Sequence, residues 1–277
     1  MDLASEIERC VAQALAEDVG SGDVTAALVP ANSLSHARVI AREEAVLCGA
    51  RWFEEVFRRL DSRIRVEWSL REGERAAANT AICEVHGPSQ ALLTGERTAL
   101  NFLQTLSAVA TKTRRYVDAI SGTRAKIFDT RKTLPGLRRA LKYAVQIGGG
   151  TNHRMGLYDG VLIKENHIAA AGGIRQVLER ARRIAGRLPI QVEVETLAQL
   201  EEAIACGAKL ILLDNFDLGG MRDAVRIAAA RAELEASGGI TLESVRRVAE
   251  TGVDRISVGA LTKDIEAIDL SMRFAKS

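Results

Sequence analysis

Pro189–Asn215 reads PIQVEVETLAQLEEAIACGAKLILLDN, and this stretch decides the fold. An apolar run, PIQVEVE, gives way to LAQLEEAIACG, whose leucines and alanines recur at helical spacing, and then to a second apolar run, KLILLDN. Two short β-branched or leucine-rich runs joined through one helix are the pattern of a βαβ unit. The alternation extends in both directions. AKIFDT and GVLIKEN precede it, AELEAS and RISVGA follow it, and GGIRQVLERARRIAG and LESVRRVAETG supply further helical stretches. Recurrence at roughly 20–35 residues from about Arg124 onward implies parallel strands.

An open doubly wound sheet and an incomplete (β/α) barrel both accommodate this alternation. The strand ends separate them. Asp129 and Arg131, Lys164 and Glu165, Glu193 and Glu195, Asp214 and Asn215, Ser237, and Ser257 each put polar chemistry after an apolar run. A barrel gathers all its carboxyl-terminal strand ends on one face, where active sites sit, whereas an open sheet uses only its switch point. The reading is therefore an incomplete barrel. No G-x-G-x-x-G follows a strand, and the triple glycine Gly148–Gly150 follows a helical stretch, which makes a dinucleotide-binding reading weak.

Upstream the signals mix as in an α+β sandwich. A helix over Leu3–Val19 places Ile7, Val11, Ala14, Leu15 and Ala16 near the 3.6-residue period. HARVIAREEAVLCG, RIRVEWSL and AICEVHG read as strands, RWFEEVFRRL as a short helix, and SQALLTGERTALNFLQTLSAVATKTRRYVDAI as a long one. The organisation is an N-terminal module over 1–115 and a barrel over 116–264.

With 47% hydrophobic and 27% charged residues, the composition is that of a soluble globular enzyme. A net charge of +2 and 4% aromatic residues, with no basic run interleaved with rings, argue against a nucleic-acid partner. Cys10, Cys48, Cys83 and Cys206 are scattered without a paired motif, as expected of reduced thiols in a cytoplasmic protein. The acidic, amphipathic N-terminus is unlike a signal peptide, and no apolar run approaches the ~18 residues that would suggest a membrane span.

Against that near-neutral background, Phe128–His167 is cationic. It holds Arg131, Lys132, Arg138, Arg139, Lys142, Arg154, Lys164, His153 and His167 against Asp129, Asp159 and Glu165. Arg138, Arg139 and Lys142 fall in a helix whose apolar positions are Leu134, Leu137, Leu141, Ala144 and Val145, so these three read as a solvated face. Arg131, Lys132, His153 and Arg154 lie in loops around the strand ends, and guanidinium clusters match planar carboxylate or phosphate.

Lys164 is open to three readings: an ion pair with Glu193 or Asp214, a Schiff-base amine, or a fixed cation for an anionic ligand. Glu193 and Asp214 close consecutive strands, a placement suited to magnesium or sugar hydroxyls, or to pairing with Lys164. Ser237-Gly238-Gly239 and Val258-Gly259-Ala260 follow the last two strands, where barrels often cradle phosphate, with Thr241 placed to cap the next helix. Turn glycines are the plainer account of each loop taken singly. Combined, these features suit a sugar-phosphate donor and a multiply anionic acceptor.

DTRKTLPGLR, GGGTNHRMGLYDGVLIKENH, VEVE, LLDN and EASGGI, in this order and with GERTALNFLQ upstream, resemble the quinolinate phosphoribosyltransferase family over nearly the whole chain. The resemblance implies an N-terminal sandwich completed by 265–277 beside an incomplete barrel, and a homodimer whose sites are finished by the partner subunit. It implies conversion of quinolinate and phosphoribosyl pyrophosphate to nicotinate mononucleotide, pyrophosphate and carbon dioxide, with Mg2+, in NAD synthesis. By the same resemblance Arg131, His153, Arg154 and Lys164 would bind quinolinate, with Arg97 entering from the neighbouring subunit. Thr130 would be a further substrate-binding residue, and Lys132 would help hold the pyrophosphate end of the donor. Glu193 and Asp214 would sit at the ribose hydroxyls and magnesium, and Ser237, Gly238, Gly239, Val258, Gly259 and Ala260 at the ribose phosphate. The alternatives are a paralogous enzyme acting on another acid, a Schiff-base aldolase using Lys164, and a non-catalytic anion-binding barrel.

Overall fold

The computed structural model describes residues 2–275. The chain divides into two compact units, one of residues 1–114, 134–149 and 264–277, the other of residues 115–133 and 150–263. Lys276 and Ser277, the end of the segment expected to complete the N-terminal sandwich, lie outside the described residues.

The first unit opens with α1 (Leu3–Val19), whose N-terminus is capped by Asp2 accepting from the Ser5 N–H at 2.8 Å. Ile7, Cys10 and Val11 are buried, together with Glu6, whose carboxylate accepts from Arg9 at 2.8 Å; Ala16 is exposed. β1 (Leu34–Ala41), β2 (Ala45–Val46), β3 (Arg65–Trp68), β4 (Arg75–Ala76) and β5 (Thr80–Pro88) follow, with α2 (Ala50–Leu60) between β2 and β3. β1 and β5 form the centre of a four-stranded antiparallel sheet, with the C-terminal strand Leu270–Phe274 outside β1 and β3 outside β5. Period-2 alternation buries Ala37, Val39, Cys83 and Val85 and leaves His36, Arg38, Glu84 and His86 on the other face. α2 buries Trp52, Phe53, Val56 and Phe57, and Glu72 accepts from the Gly49 and Ala50 N–H groups at its start, both at 2.7 Å. α3 (Ser89–Ala119) matches the long helical stretch; it buries Leu100, Leu103 and Leu106 and leaves Arg97 exposed.

One expectation fails here. α4 (Arg138–Ile147) groups with the first unit, and Lys142 is fully buried while Arg138 and Arg139 are half-buried. These three cations do not form a solvated face. The helix is enclosed on more than its apolar stripe: Tyr143 donates to Glu72 at 2.5 Å and tilts against Trp52, while Leu137 and Ala140 line a cavity with Glu17 and Asp18. Amphipathic spacing reports one buried face and is silent about a second.

The second unit is built on six parallel strands, β6 (Lys126–Phe128), β7 (Val161–Ile163), β8 (Ile190–Val194), β9 (Leu210–Asp214), β10 (Glu233–Ser237) and β11 (Arg255–Ser257). Their spatial order is β6-β11-β10-β9-β8-β7, every pairing parallel. From β7 to β11 successive strands are neighbours, β11 returns to β6, and β6 and β7 are the free edges: an incomplete barrel. Thr151 forms a parallel bridge to Phe128 on the free edge of β6. All six expected strands are present. Among the helices, α6 (Ile174–Ala185), α7 (Leu197–Ala205) and α9 (Leu242–Ala249) match the periodic segments, while α5 (Glu165–Ala171), α8 (Leu218–Ala228) and α10 (Ala260–Lys263) escaped them. α8 starts with Gly219 and Gly220, which lower helix propensity; Asp217 caps it by accepting from Gly220 N–H at 2.7 Å, and Met221, Ala224 and Ala228 are buried.

Candidate active site

The second unit brings most of the expected side chains to its strand ends. β7 delivers Lys164, the residue that precedes α5, and β8 delivers Glu193 from the neighbouring strand. The Lys164 ammonium meets both Glu193 oxygens, at 3.0 and 3.1 Å, with Glu193 nearly buried and Lys164 about half exposed. The ion pair considered in the sequence reading is thus present, at the mouth of the barrel where a ligand can reach it. Asp214 ends β9; its Oδ2 accepts from Asn215 Nδ2 at 3.0 Å.

The loop after β10 has a steric reason for its glycine. Asn215 sits in the left-handed region at φ 57°, and Gly238 at φ 107° passes so close that an added Cβ would lie 2.1 Å from Asn215 Oδ1. A side chain there would have to displace the Asn215 amide and adopt a backbone conformation that favours glycine. LLDN and SGG are therefore two halves of one corner, tied by the Asn215 N–H donating to Ser237 O at 3.0 Å. Thr241 and Ser244 cap α9 just beyond. After β11, the loop Val258–Ala260 meets the loop after β6. A Cβ on Gly259 would lie 3.3 Å from the Lys132 chain, and Thr262 donates to Lys132 O at 2.8 Å. Thr130 Oγ1 accepts from Lys132 N–H at 3.0 Å. Thr130, Lys132 and Gly259 are thereby assembled.

Asp129 is fully buried and organises the segment that carries His153 and Arg154: its Oδ1 accepts from His153 N–H at 2.8 Å and its Oδ2 from Asn152 Nδ2 at 2.6 Å. Beneath this lies a network the sequence reading did not identify. Gln191 Nε2 donates to Glu235 Oε2 at 2.9 Å, which leaves Gln191 Oε1 as an acceptor, 2.9 Å from His153 Nε2. His153 Nε2 therefore carries a proton, while Nδ1 accepts from the Arg154 N–H at 3.0 Å. Both ring nitrogens are used inside the protein, and the ring fixes the backbone at Arg154. Glu235 is fully buried, 3.4 Å from His153 Nε2, and Arg255 approaches it at 3.6 Å while its guanidinium stacks 4.0 Å over Phe128. Burial pushes the Glu235 carboxyl up, but the His153 and Gln191 contacts and the Arg255 charge outweigh it and hold it below its ordinary value.

Arg154 donates to Gly160 O at 3.0 Å. Its pKa is lowered by burial and by the like charge of Arg131, with Asp159 opposing. His153, Arg154, Gln191 and Arg255 line a cavity of about 260 Å³ that also touches Val161 and Leu210. Val161, Leu210 and Arg255 are the first residues of their strands, so this pocket lies toward the amino-terminal strand ends and not at the ends that carry Lys164 and Asp214. A larger cavity of about 520 Å³ in the first unit is lined by residues such as Glu55 and Arg58, which already pair with each other. Size alone does not mark the site.

Arg97 belongs to the other unit and is not among the residues assembled here. Gln191, Glu235 and Arg255 were missed because they stand at the start or in the middle of strands, whereas the reading looked only to the carboxyl-terminal strand ends. The available signal was their inward period-2 position, shared with Glu193 and Ser257.

Two family models match the chain: quinolinate phosphoribosyl transferase, N-terminal domain, over residues 23–107, and its C-terminal domain over 109–273. A probable nicotinate-nucleotide pyrophosphorylase (carboxylating) of Bacillus subtilis (strain 168) is 45% identical over 257 residues, 92% of this chain and 89% of that one. The nicotinate-nucleotide pyrophosphorylase (carboxylating) of Mycobacterium leprae (strain TN) is 43% identical, with 95% of each chain covered. Among solved structures, the nicotinate-nucleotide pyrophosphorylase from Francisella tularensis superposes with a TM-score of 0.97 at 45% identity, covering 99% of this chain and 98% of its own.

Proposed function

The chain belongs to the quinolinate phosphoribosyltransferase family, and from that premise we propose how its residues carry out a decarboxylating phosphoribosyl transfer. Quinolinate and phosphoribosyl pyrophosphate become nicotinate mononucleotide, pyrophosphate and carbon dioxide, a step of de novo NAD synthesis. The observation that supports this reading is the pairing of Arg131 and Arg154 in a half-buried setting, where burial first and the like charge of Arg131 second lower the Arg154 pKa. A planar dicarboxylate is the ligand that relieves it.

Arg131 and Arg154 take the quinolinate carboxylates, with Lys164 turned toward them from Glu193. His153 works by holding Arg154, since its own ring nitrogens are engaged. Thr130 and Lys132 meet the pyrophosphate end of the donor. Glu193 and Asp214 face the ribose hydroxyls, and the backbone of Ser237–Gly239 and Val258–Ala260 takes the ribose phosphate. Pyrophosphate departs with the electron pair of the C1–O bond, leaving an oxocarbenium-like carbon that the ring nitrogen attacks. The nitrogen becomes a pyridinium. The adjacent carboxylate then leaves as carbon dioxide, its bonding pair remains on the ring carbon beside the cation, and a proton replaces it. Lys164 acts throughout as a charge, not as an imine former. Borohydride added during turnover is expected to trap no adduct; a stable adduct at Lys164 would revive the aldolase reading.

Glu193 and Asp214 suit magnesium in one respect: both offer hard oxygen donors on adjacent strands. Glu193 is already engaged by Lys164 and Asp214 by Asn215, so these carboxylates would hold the ion largely through its waters and the donor phosphates. Bound there, magnesium supplies charge neutralisation for pyrophosphate. We further propose a cytoplasmic homodimer in which Arg97 of α3 reaches the partner's quinolinate. Truncating one partner of such a buried charged contact costs about 2–5 kcal/mol. Arg97→Ala and Lys164→Ala homodimers should each be nearly inactive, and mixing them should restore part of the activity. Proven subunit exchange without recovery would exclude action in trans.

The reaction itself is tested by carbon dioxide and pyrophosphate release with quinolinate against nicotinate. Release from quinolinate alone is expected; equal use of nicotinate would overturn the assignment.

A further inference from the structure

On the sheet of the first unit, the face turned away from the core carries an ordered pattern of side chains. The register sets His36 opposite His86, with Arg65 beyond, and Arg38 opposite Glu84, with Glu67 beyond and Arg273 on the other side. Directly paired residues share a face, so the two histidines and Glu84 stand together at the centre of the sheet. Their rings stack at 4.1 Å with 13° between planes. Glu84 Oε2 lies 2.9 Å from His36 Nε2 and 3.9 Å from His86 Nε2.

Two details separate this cluster from an ordinary surface ion pair. His36 Nε2 is withdrawn from solvent and, despite the 2.9 Å approach, makes no well-aligned hydrogen bond. The nitrogen and the carboxylate oxygen are thus held at ion-pair distance in a geometry that is not that of a linear hydrogen bond. Second, one nitrogen from each histidine and one Glu84 oxygen all lie within 4.8 Å of one another. An ion bound at about 2.0–2.2 Å by tetrahedral ligands sets those ligands roughly 3.3–3.6 Å apart, a spacing these atoms can reach once the two stacked rings turn so that their lone pairs converge. Arg38 Nε donates to Glu84 Oε1 at 3.0 Å, which orients the carboxylate and leaves Oε2 turned to the imidazoles. Each side chain is 31–41% exposed, so the cluster borders solvent, which can supply the remaining ligand once the His36 ring turns its buried Nε2 toward the ion.

We propose that His36, Glu84 and His86 form a binding site for a borderline divalent transition-metal ion of the zinc type, with two imidazoles, one carboxylate and an open position. Imidazole with a carboxylate selects such ions over magnesium or calcium, which prefer all-oxygen sites. The bound ion cross-links β1 to β5, the two central strands, and so stabilises this unit without taking part in phosphoribosyl transfer.

The test is calorimetric titration of chelator-stripped protein with zinc chloride, on wild type, Glu84→Gln and the His36→Ala/His86→Ala double variant. Wild type should bind one zinc per chain at neutral pH. Binding should weaken as pH falls and the imidazoles protonate, with Arg38, Arg65, Arg273 and Glu67 as the other charged groups facing the site. Glu84→Gln should lose about tenfold or more in affinity, and the double variant all binding at this site. Zinc should raise the melting temperature most in wild type, less in Glu84→Gln and not in the double variant, and phosphoribosyl transfer should be equal in all three proteins, which also reports that the variants fold. No saturable uptake by wild type, or equal uptake by the double variant, overturns the proposal; the latter would assign the zinc to other residues such as the barrel carboxylates.

Discussion

Glu193 and Glu235 are the same residue type on parallel strands of one barrel, yet they live in opposite regimes. Glu193, two residues into the exposed end of β8, is bound by a single flexible lysine that is about half exposed. Glu235, in the middle of β10, is fully buried and held by Gln191, His153 and Arg255. An ammonium on a long stem in reach of water can be exchanged for a ligand at little cost, whereas a buried carboxylate in a network cannot. The barrel therefore separates working charge at its mouth from structural charge at its centre.

The largest expected effect breaks the structural half. Glu235→Ala should destabilise the fold by about 3–5 kcal/mol, because Arg255 and Gln191 are left facing an uncompensated site. Denaturant unfolding measures it, and a loss below about 1 kcal/mol would show that Glu235 is no anchor. Next is the corner beside the working half. Gly238→Ala forces a Cβ toward Asn215 at positive φ and should cost about 1–3 kcal/mol, with the donor affinity falling more than the quinolinate affinity.

Acid titration contrasts the two carboxylates more finely. Since the Glu235 pKa is below its unfolded value, its contribution is present above the unfolded carboxylate pKa and is lost as pH falls through the lower, folded one. Wild type should therefore lose stability in that acid window, and Glu235→Gln should flatten this part of the profile. The smallest stability change sharpens the comparison from the other side. Lys164→Met should alter unfolding by about 1 kcal/mol or less, while catalysis falls by orders of magnitude. A large stability loss there would place Lys164 with the structural charges.

Local patterning made much of this legible. The six barrel strands, α2, α3 and the extent of α1 follow from period and punctuation, since those signals are carried by neighbouring residues. The strand-end residues Lys164, Glu193, Asp214 and Ser237 were legible for the same reason: a barrel assigns the end of every strand to one face. Helix α8 was not, because its two initial glycines suppress propensity while its burial against the sheet supplies the stability.

What the sequence by itself determined is which residues form the six barrel strands and most of the longer helices, that the barrel strands run parallel, and which side chains stand at their ends. Only the tertiary structure decided which charges are buried. Glu233 and Glu235 sit two apart in ELEAS on the same face of β10, yet Glu233 is exposed and Glu235 is sealed, because the register sets Glu235 opposite Leu212 and Arg255 in the barrel interior. Lys142 likewise reads as a surface cation and is fully enclosed. Periodicity is a property of a dozen neighbouring residues, whereas burial and the network that tolerates it depend on partners brought from strands and helices tens of residues away.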